Sequence, residues 1–182
     1  DYMPETVDAL GRLLASQPLD YVVGSVHILD GFPIDEHARY WDALPQDGID
    51  GRWRLYWRRV REMAETGLFD IAAHLDLPKK FGHRPAADLS DLEDAALDAI
   101  AGAGMVIEIN VAGWVLPARE EYPSPSLLAR AFARGIPLVI SADAHAPAHV
   151  ARHFERAAQV AWDAGWREVC AFEGRKRRAL PL

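Results

Sequence analysis

Along the chain, short apolar runs alternate with stretches in which apolar residues recur every three or four positions. The runs are residues 19–27, 67–74, 105–110, 136–141 and 168–172. They are rich in Val, Ile and Leu and are bounded by Gly, which predicts five buried strands. Helical spacing fills the intervals. Residues 6–16 carry Val7, Leu10, Leu13 and Leu14 on one face, and residues 51–66 carry Trp53, Tyr56, Trp57, Val60 and Met63. That spacing assigns the two tryptophans to helix packing. Residues 90–101 open on Ser90 with Glu93 three positions later, the pattern of a capping box. Residues 125–133 follow Ser124 as a candidate cap. Residues 147–164 begin on a proline, which a first helical turn tolerates, and stop at Gly165.

Alternating strands and helices predict a parallel sheet, hence an α/β fold, in a single domain over residues 1–182. Ligands of such folds bind at the C-terminal ends of the strands. Three of the predicted strands place polar residues there: His27, His74, and Asp143 with His145. A closed parallel barrel takes about 250 residues. Five strands in 182 residues therefore predict most of a barrel with its first strands absent.

Composition sharpens this. A net charge of −7 gives no electrostatic footprint for nucleic acid. No run approaches the roughly 18 apolar residues of a membrane span, and the start lacks the pattern of a signal peptide, so no membrane partner is expected. The single cysteine, Cys170, excludes an internal disulfide and fits a reducing cytoplasm. Its apolar neighbours predict a buried, inert thiol. The basic run Arg175-Lys176-Arg177-Arg178 reads as a solvated tail or a lid over an acidic barrel.

Imidazole and carboxylate are ligands for Zn, Fe or Mn. Asp143-x-His145 puts two of them on one turn past a strand, and His27 and His74 end strands expected to share its edge. His145, His149 and His153 recur every fourth residue, but Pro147 puts His145 in the loop and leaves His149 and His153 on a partly exposed helix face. His37 follows His27 in a loop from which it could reach a substrate. His83 reads as a surface residue. Glu108 and Asn110 face one way on their strand. They either orient a metal ligand or bond neighbouring strands.

Tyr21 to His27 followed by Gly31-Phe32-Pro33-Ile34-Asp35 resembles the signature region of histidinol phosphatases of the polymerase-and-histidinol-phosphatase superfamily. So do Phe69 to Gly82, Glu108 to Gly113 with Glu121-Tyr122-Pro123-Ser124, and Ser141 to His145. The resemblance implies a distorted, TIM-like (β/α)7 barrel with up to three divalent metal ions. It implies hydrolysis of L-histidinol phosphate to L-histidinol and phosphate in histidine biosynthesis. Carried over, His27, His74, Asp143 and His145 become metal ligands; Asp143 and His145 are also expected to be catalytic, and Asn110 and His37 to bind substrate. Family members also have an H-x-H element, a further His and a Glu upstream, so the sequence resembles the C-terminal two-thirds of the enzyme. An Arg suited to phosphate often follows the Asn-x-x-Gly turn in the family; Trp114 and Val115 stand there, and Arg119 is the nearest replacement. Another phosphoesterase or nuclease of the superfamily, or an inactive truncated barrel, would share these features. No feature of the sequence speaks to oligomeric state.

Overall fold

A computed structural model describes residues 1–182. A 3₁₀ turn at Pro4–Thr6 leads into α1 (Val7–Ala15), then β1 (Val23–Gly24), the hairpin β2 (Ile28–Leu29) and β3 (Phe32–Pro33), and α2 (Ala38–Asp42). There follow α3 (Gln46–Glu65), β4 (Ile71–Ala72), α4 (Ser90–Gly102) and β5 (Val106–Asn110). The chain closes with α5 (Pro125–Ala133), β6 (Leu138–Ser141), α6 (Phe154–Ala164), β7 (Glu168–Glu173) and β8 (Lys176–Pro181).

The α/β fold is present. β1, β4, β5 and β6 pair side by side in that order, all parallel. The sheet is open: β7 pairs antiparallel with β8 in a separate hairpin. The first two strands are shorter than the apolar runs predicted. Only Val23↔Ile71 and Gly24↔Ala72 are in register, and the next backbone donor, Val22 N–H, goes to the Asp70 carboxylate at 2.8 Å instead of extending the ladder.

All five residues of β5 are buried, as expected for a central parallel strand. α3 lays Trp53, Tyr56, Trp57, Val60 and Met63 into the core, so both tryptophans pack as their spacing predicted. His83 is tied into the structure, with its ring on Trp41 and Nε2 3.0 Å from Asp42.

Three local expectations change. Ser90 is the first residue of α4 and caps nothing; its N–H is received by Asp88 at 2.9 Å. Glu93 turns to Arg130 on α5, which also bonds Asp94. The Arg130 guanidinium offers the Glu93 carboxylate a full opposite charge, which the backbone N–H of a capping box does not. The predicted helix over residues 147–164 is a 3₁₀ turn at Pro147–His149 and then α6 from Phe154, because Ala151 and His153 hold positive φ and break the helix between them. Lys176-Arg177-Arg178 of the basic run open strand β8. Gly174 and Arg175, both at positive φ, form the two-residue turn of the β7–β8 hairpin. Arg175 bonds Asp70 and the Leu68 carbonyl, just before β4, so the hairpin tip lies at the edge opposite His74 and is no lid for it. Cys170 is half-buried, and burial raises its thiol pKa, which keeps it a poor nucleophile.

Gly113 lies where the loop after β5 folds back on itself. A Cβ there would collide with the Glu120 carbonyl oxygen and come 2.9 Å from Tyr122 Cε2. Gly113→Ala is therefore expected to destabilise the fold by about 1–3 kcal/mol or more, read as a lower urea midpoint at unchanged slope.

Candidate metal centre

His27 leaves β1 and His74 leaves β4, and their parallel pairing brings the two rings together. The Nε2 atoms are 3.1 Å apart, with ring centroids at 4.9 Å. His27 Nδ1 is engaged by the Asp1 carboxylate. Burial lowers the pKa of both imidazoles, for His74 against the opposing pull of Glu108. Both are thus held neutral, the form that offers a lone pair to a metal.

β5 supplies the support. Glu108 Oε1 accepts the His74 backbone N–H at 2.6 Å and the Asn110 amide at 2.9 Å. Asn110 Oδ1 in turn accepts Ala112 N–H at 3.0 Å, anchoring the next turn. Both side chains of the same-facing pair on β5 are used, and they fix the backbone that carries His74.

Asp143, just past β6, sits at φ 48°, a left-handed conformation that Asp tolerates better than most residues. Its carbonyl lies 2.8 Å from His145 Nδ1. A carbonyl only accepts, so Nδ1 carries the proton and Nε2 keeps the lone pair of the neutral ring. The His145 side chain is 82% exposed, so it meets the cleft from the rim.

His27, His74, Asp143 and His145 line one cleft of about 1010 Å³. No three His, Cys, Asp or Glu side chains are gathered closely enough to form a finished metal shell. The His27–His74 pair nevertheless fits one. With metal–nitrogen bonds near 2.1 Å, two nitrogens of one tetrahedral shell lie about 3.4 Å apart, and 3.1 Å is close to that separation.

Three further candidates lie off the cleft lining. Arg119 is exposed, in a turn at φ 54°. His37 is 57% exposed at the start of α2, 3.9 Å from Glu36. Asn110 is buried within the wall and spent on the bonds above. The lining cations are instead Lys80 and Arg152, and His149 joins them because the 3₁₀ turn, not a helix, presents it. Sequence reasoning passed over Lys80 and Arg152. Lys79 and Lys80 are adjacent in the chain, and nothing local distinguishes the buried Lys79 from the cleft-lining Lys80.

No family model matches the chain. It is 39% identical over 176 residues to the "Probable histidinol-phosphatase" of Deinococcus radiodurans, a match covering 97% of this chain and 66% of that protein. It is 25% identical over 180 residues to the "Probable histidinol-phosphatase" of Schizosaccharomyces pombe, covering 93% of this chain and 59% of that protein. The chain thus spans about three-fifths to two-thirds of the length of these relatives. Its fold matches the histidinol phosphate phosphatase of Lactococcus lactis, solved with zinc, L-histidinol and phosphate, at a TM-score of 0.76 and 18% identity over 97% of this chain and 68% of that one. It also matches the HisK protein of Listeria monocytogenes at a TM-score of 0.74 and 22% identity, over 86% and 65% of the two chains. Paired imidazoles at the C-terminal edge of a parallel sheet, and a curated relative 39% identical across nearly the whole chain, place this protein in the histidinol-phosphatase family.

Proposed function

We propose that this chain carries the substrate cleft and four metal ligands of a metal-dependent phosphomonoester hydrolase that converts L-histidinol phosphate to L-histidinol and phosphate. The observation that carries this reading is the facing His27–His74 pair, 3.1 Å apart and opening on the same cleft as Asp143 and His145. The names of the relatives support the substrate, and the zinc of the Lactococcus enzyme supports the metal. Iron or manganese would suit the same nitrogen and oxygen donors, and up to three ions fit the family resemblance. In this reading the open sheet is part of a distorted (β/α)7 barrel. The setting is the cytoplasm, the partner is a small phosphorylated substrate, and neither nucleic acid nor membrane is one.

Bound divalent ions supply positive charge at the phosphate oxygens and lower the pKa of a water from about 15.7 toward 7. The residues of the chain do the rest. His27, His74 and Asp143 hold and orient. Glu108 fixes the main chain of His74 so that its ring keeps its aim. Water attacks phosphorus in line, the bond from phosphorus to the histidinol oxygen breaks, and the departing alkoxide takes up a proton. With Nδ1–H engaged on the Asp143 carbonyl, His145 has Nε2 left for the cleft, as a ligand or, when protonated, as that proton's donor.

Phosphate release from L-histidinol phosphate, nucleoside monophosphates and an oligonucleotide decides the reading. Turnover of histidinol phosphate is expected to dominate, to vanish on chelation and to return with zinc or manganese. Chelator-resistant turnover, or a preference for the oligonucleotide, would overturn it.

A further inference from the structure

The tip of the β7–β8 hairpin touches the two strands that carry the imidazole pair, at the ends away from it. Arg175 holds both carboxylate oxygens of Asp70, Nε to Oδ2 at 2.9 Å and Nη2 to Oδ1 at 3.1 Å. Nη2 also donates to the Leu68 carbonyl at 2.9 Å. Asp70 Oδ2 in turn accepts the Val22 backbone N–H at 2.8 Å. The same turn holds the approach to β1: Gly174 N–H donates to the Asp20 carboxylate at 2.9 Å, and Arg175 N–H to the Asp20 carbonyl at 2.8 Å. Phe172 of β7 meets the Tyr21 ring, centroids 6.0 Å apart. One turn thus clasps residues 20–22, which lead into β1, and residues 68–70, which lead into β4.

The clasp matters because the ladder between these strands is short. β1 is the edge of the four-stranded sheet, so β4 is its sole neighbour there, and they share two registered pairs. A ladder this short holds register weakly, the more so with a glycine in it. The backbone bond nearest the site, Ala73 N–H to the Gly24 carbonyl at 2.9 Å, falls one residue before His74 and three before His27. Sliding or splaying of β1 against β4 would carry the two rings apart.

Arg175 is the cation paired with Asp70, whose side chain is 15% exposed. Without it, the Asp70 carboxylate keeps a charge with no partner and is free to turn to water, releasing Val22 N–H. A planar guanidinium serves both oxygens of a carboxylate at once, which fixes direction as well as distance; an ammonium is a point charge.

We propose that Arg175 is a positioning residue for the metal centre: through Asp70 it sets β1 against β4 from the far end of the strands, and so sets the separation of His27 and His74, a role that rests on the metal-centre reading above. The test is zinc affinity, read by competition with a chromophoric chelator well below the melting temperature. It compares the full chain with Arg175→Gln, Arg175→Lys and Arg134→Gln. Arg134 ties α5 to Asp94 and Asp98 of α4, away from β1 and β4, so its loss stands for lost stability alone.

Arg175→Gln is expected to bind zinc about 10-fold more weakly, the low end of the cost of losing a residue that orients a ligand. Amide hydrogen exchange at Val22 and Ala73 should quicken with it. Arg175→Lys, which keeps one charged contact with Asp70, should lose less. Arg134→Gln should melt lower yet bind zinc like the wild type. Wild-type zinc affinity in Arg175→Gln overturns the proposal, as does an equal loss in Arg134→Gln or a wild-type chain that binds no zinc. If Arg175→Gln does not fold, Arg175→Lys decides: affinity below that of Arg134→Gln supports the role, and wild-type affinity overturns it. Should the wild type bind zinc but not hydrolyse L-histidinol phosphate, while Arg175→Gln still loses zinc affinity, the positioning role stands and the substrate assignment falls.

Discussion

His74→Ala is expected to lower histidinol phosphate turnover by about 10²–10³-fold or more and to reduce bound metal in parallel. Removing a residue that merely orients a ligand costs 10–100-fold, and removing one preorganised donor at a reacting centre costs about 10²–10³-fold. His74 is one half of the only close imidazole pair in the cleft and is 7% exposed, so water replaces its nitrogen poorly. Asp143→Ala should behave likewise. Glu108→Gln should lose much less, because the amide oxygen of Gln still accepts from His74 N–H and the Asn110 side chain. Metal content by elemental analysis, measured beside kcat, separates loss of the ion from loss of the fold. Full metal and full turnover in both alanine variants would sink the ligand assignment.

Lys79→Ala is expected to cost about 3–5 kcal/mol of stability at pH 8, the scale of a buried ion pair deprived of one partner. The Lys79 side chain is 0% exposed. Nζ lies 2.9 Å from Asp76, 2.6 Å from Glu120 and 2.6 Å from the Glu121 carbonyl, so one ammonium joins the turn after His74 to the loop before Tyr122. Burial alone would raise the Glu120 pKa, but Lys79 and Arg84 hold it below the usual value. Burial pushes the Asp76 carboxyl up to about 6, against the pull of Lys79.

The sign of the pH dependence follows. With Lys79 gone, the folded pKa of Asp76 rises further, while the unfolded value stays near 3.9. Ionised Asp76 then penalises the folded state above its folded pKa, and the penalty fades as pH falls through that value and the carboxyl takes up a proton. Urea unfolding should therefore show a deficit at pH 8 that narrows at pH 5. A deficit under 1 kcal/mol, or an equal one at both pH values, would show that the cluster is not held as described.

The strand–helix order was legible in the sequence because periodicity is local. So were the buried face of α3 and the placing of His27, His74 and Asp143 at strand ends; on α1, Val7, Leu10 and Leu14 pack against the core, but Leu13 is 57% exposed. The motifs around His27, His74, Glu108 and Asp143 carried the family resemblance. Strand lengths were not legible: β1 and β4 shrink to two residues because Val22 N–H bonds a side chain 48 positions away. Nor was the break before α6, where positive φ at Ala151 and His153 defeats a helical stripe of histidines.

The sequence by itself determined which side chains could serve as ligands and on which edge of the sheet they lie, since residue type and strand polarity are written locally. Only the tertiary structure decided that the two imidazoles face each other, that Lys79 is buried while Lys80 lines the cleft, and that Arg152 rather than Arg119 reaches it. Those outcomes depend on contacts between residues tens of positions apart, where burial and charge pairing, not local pattern, choose the winner.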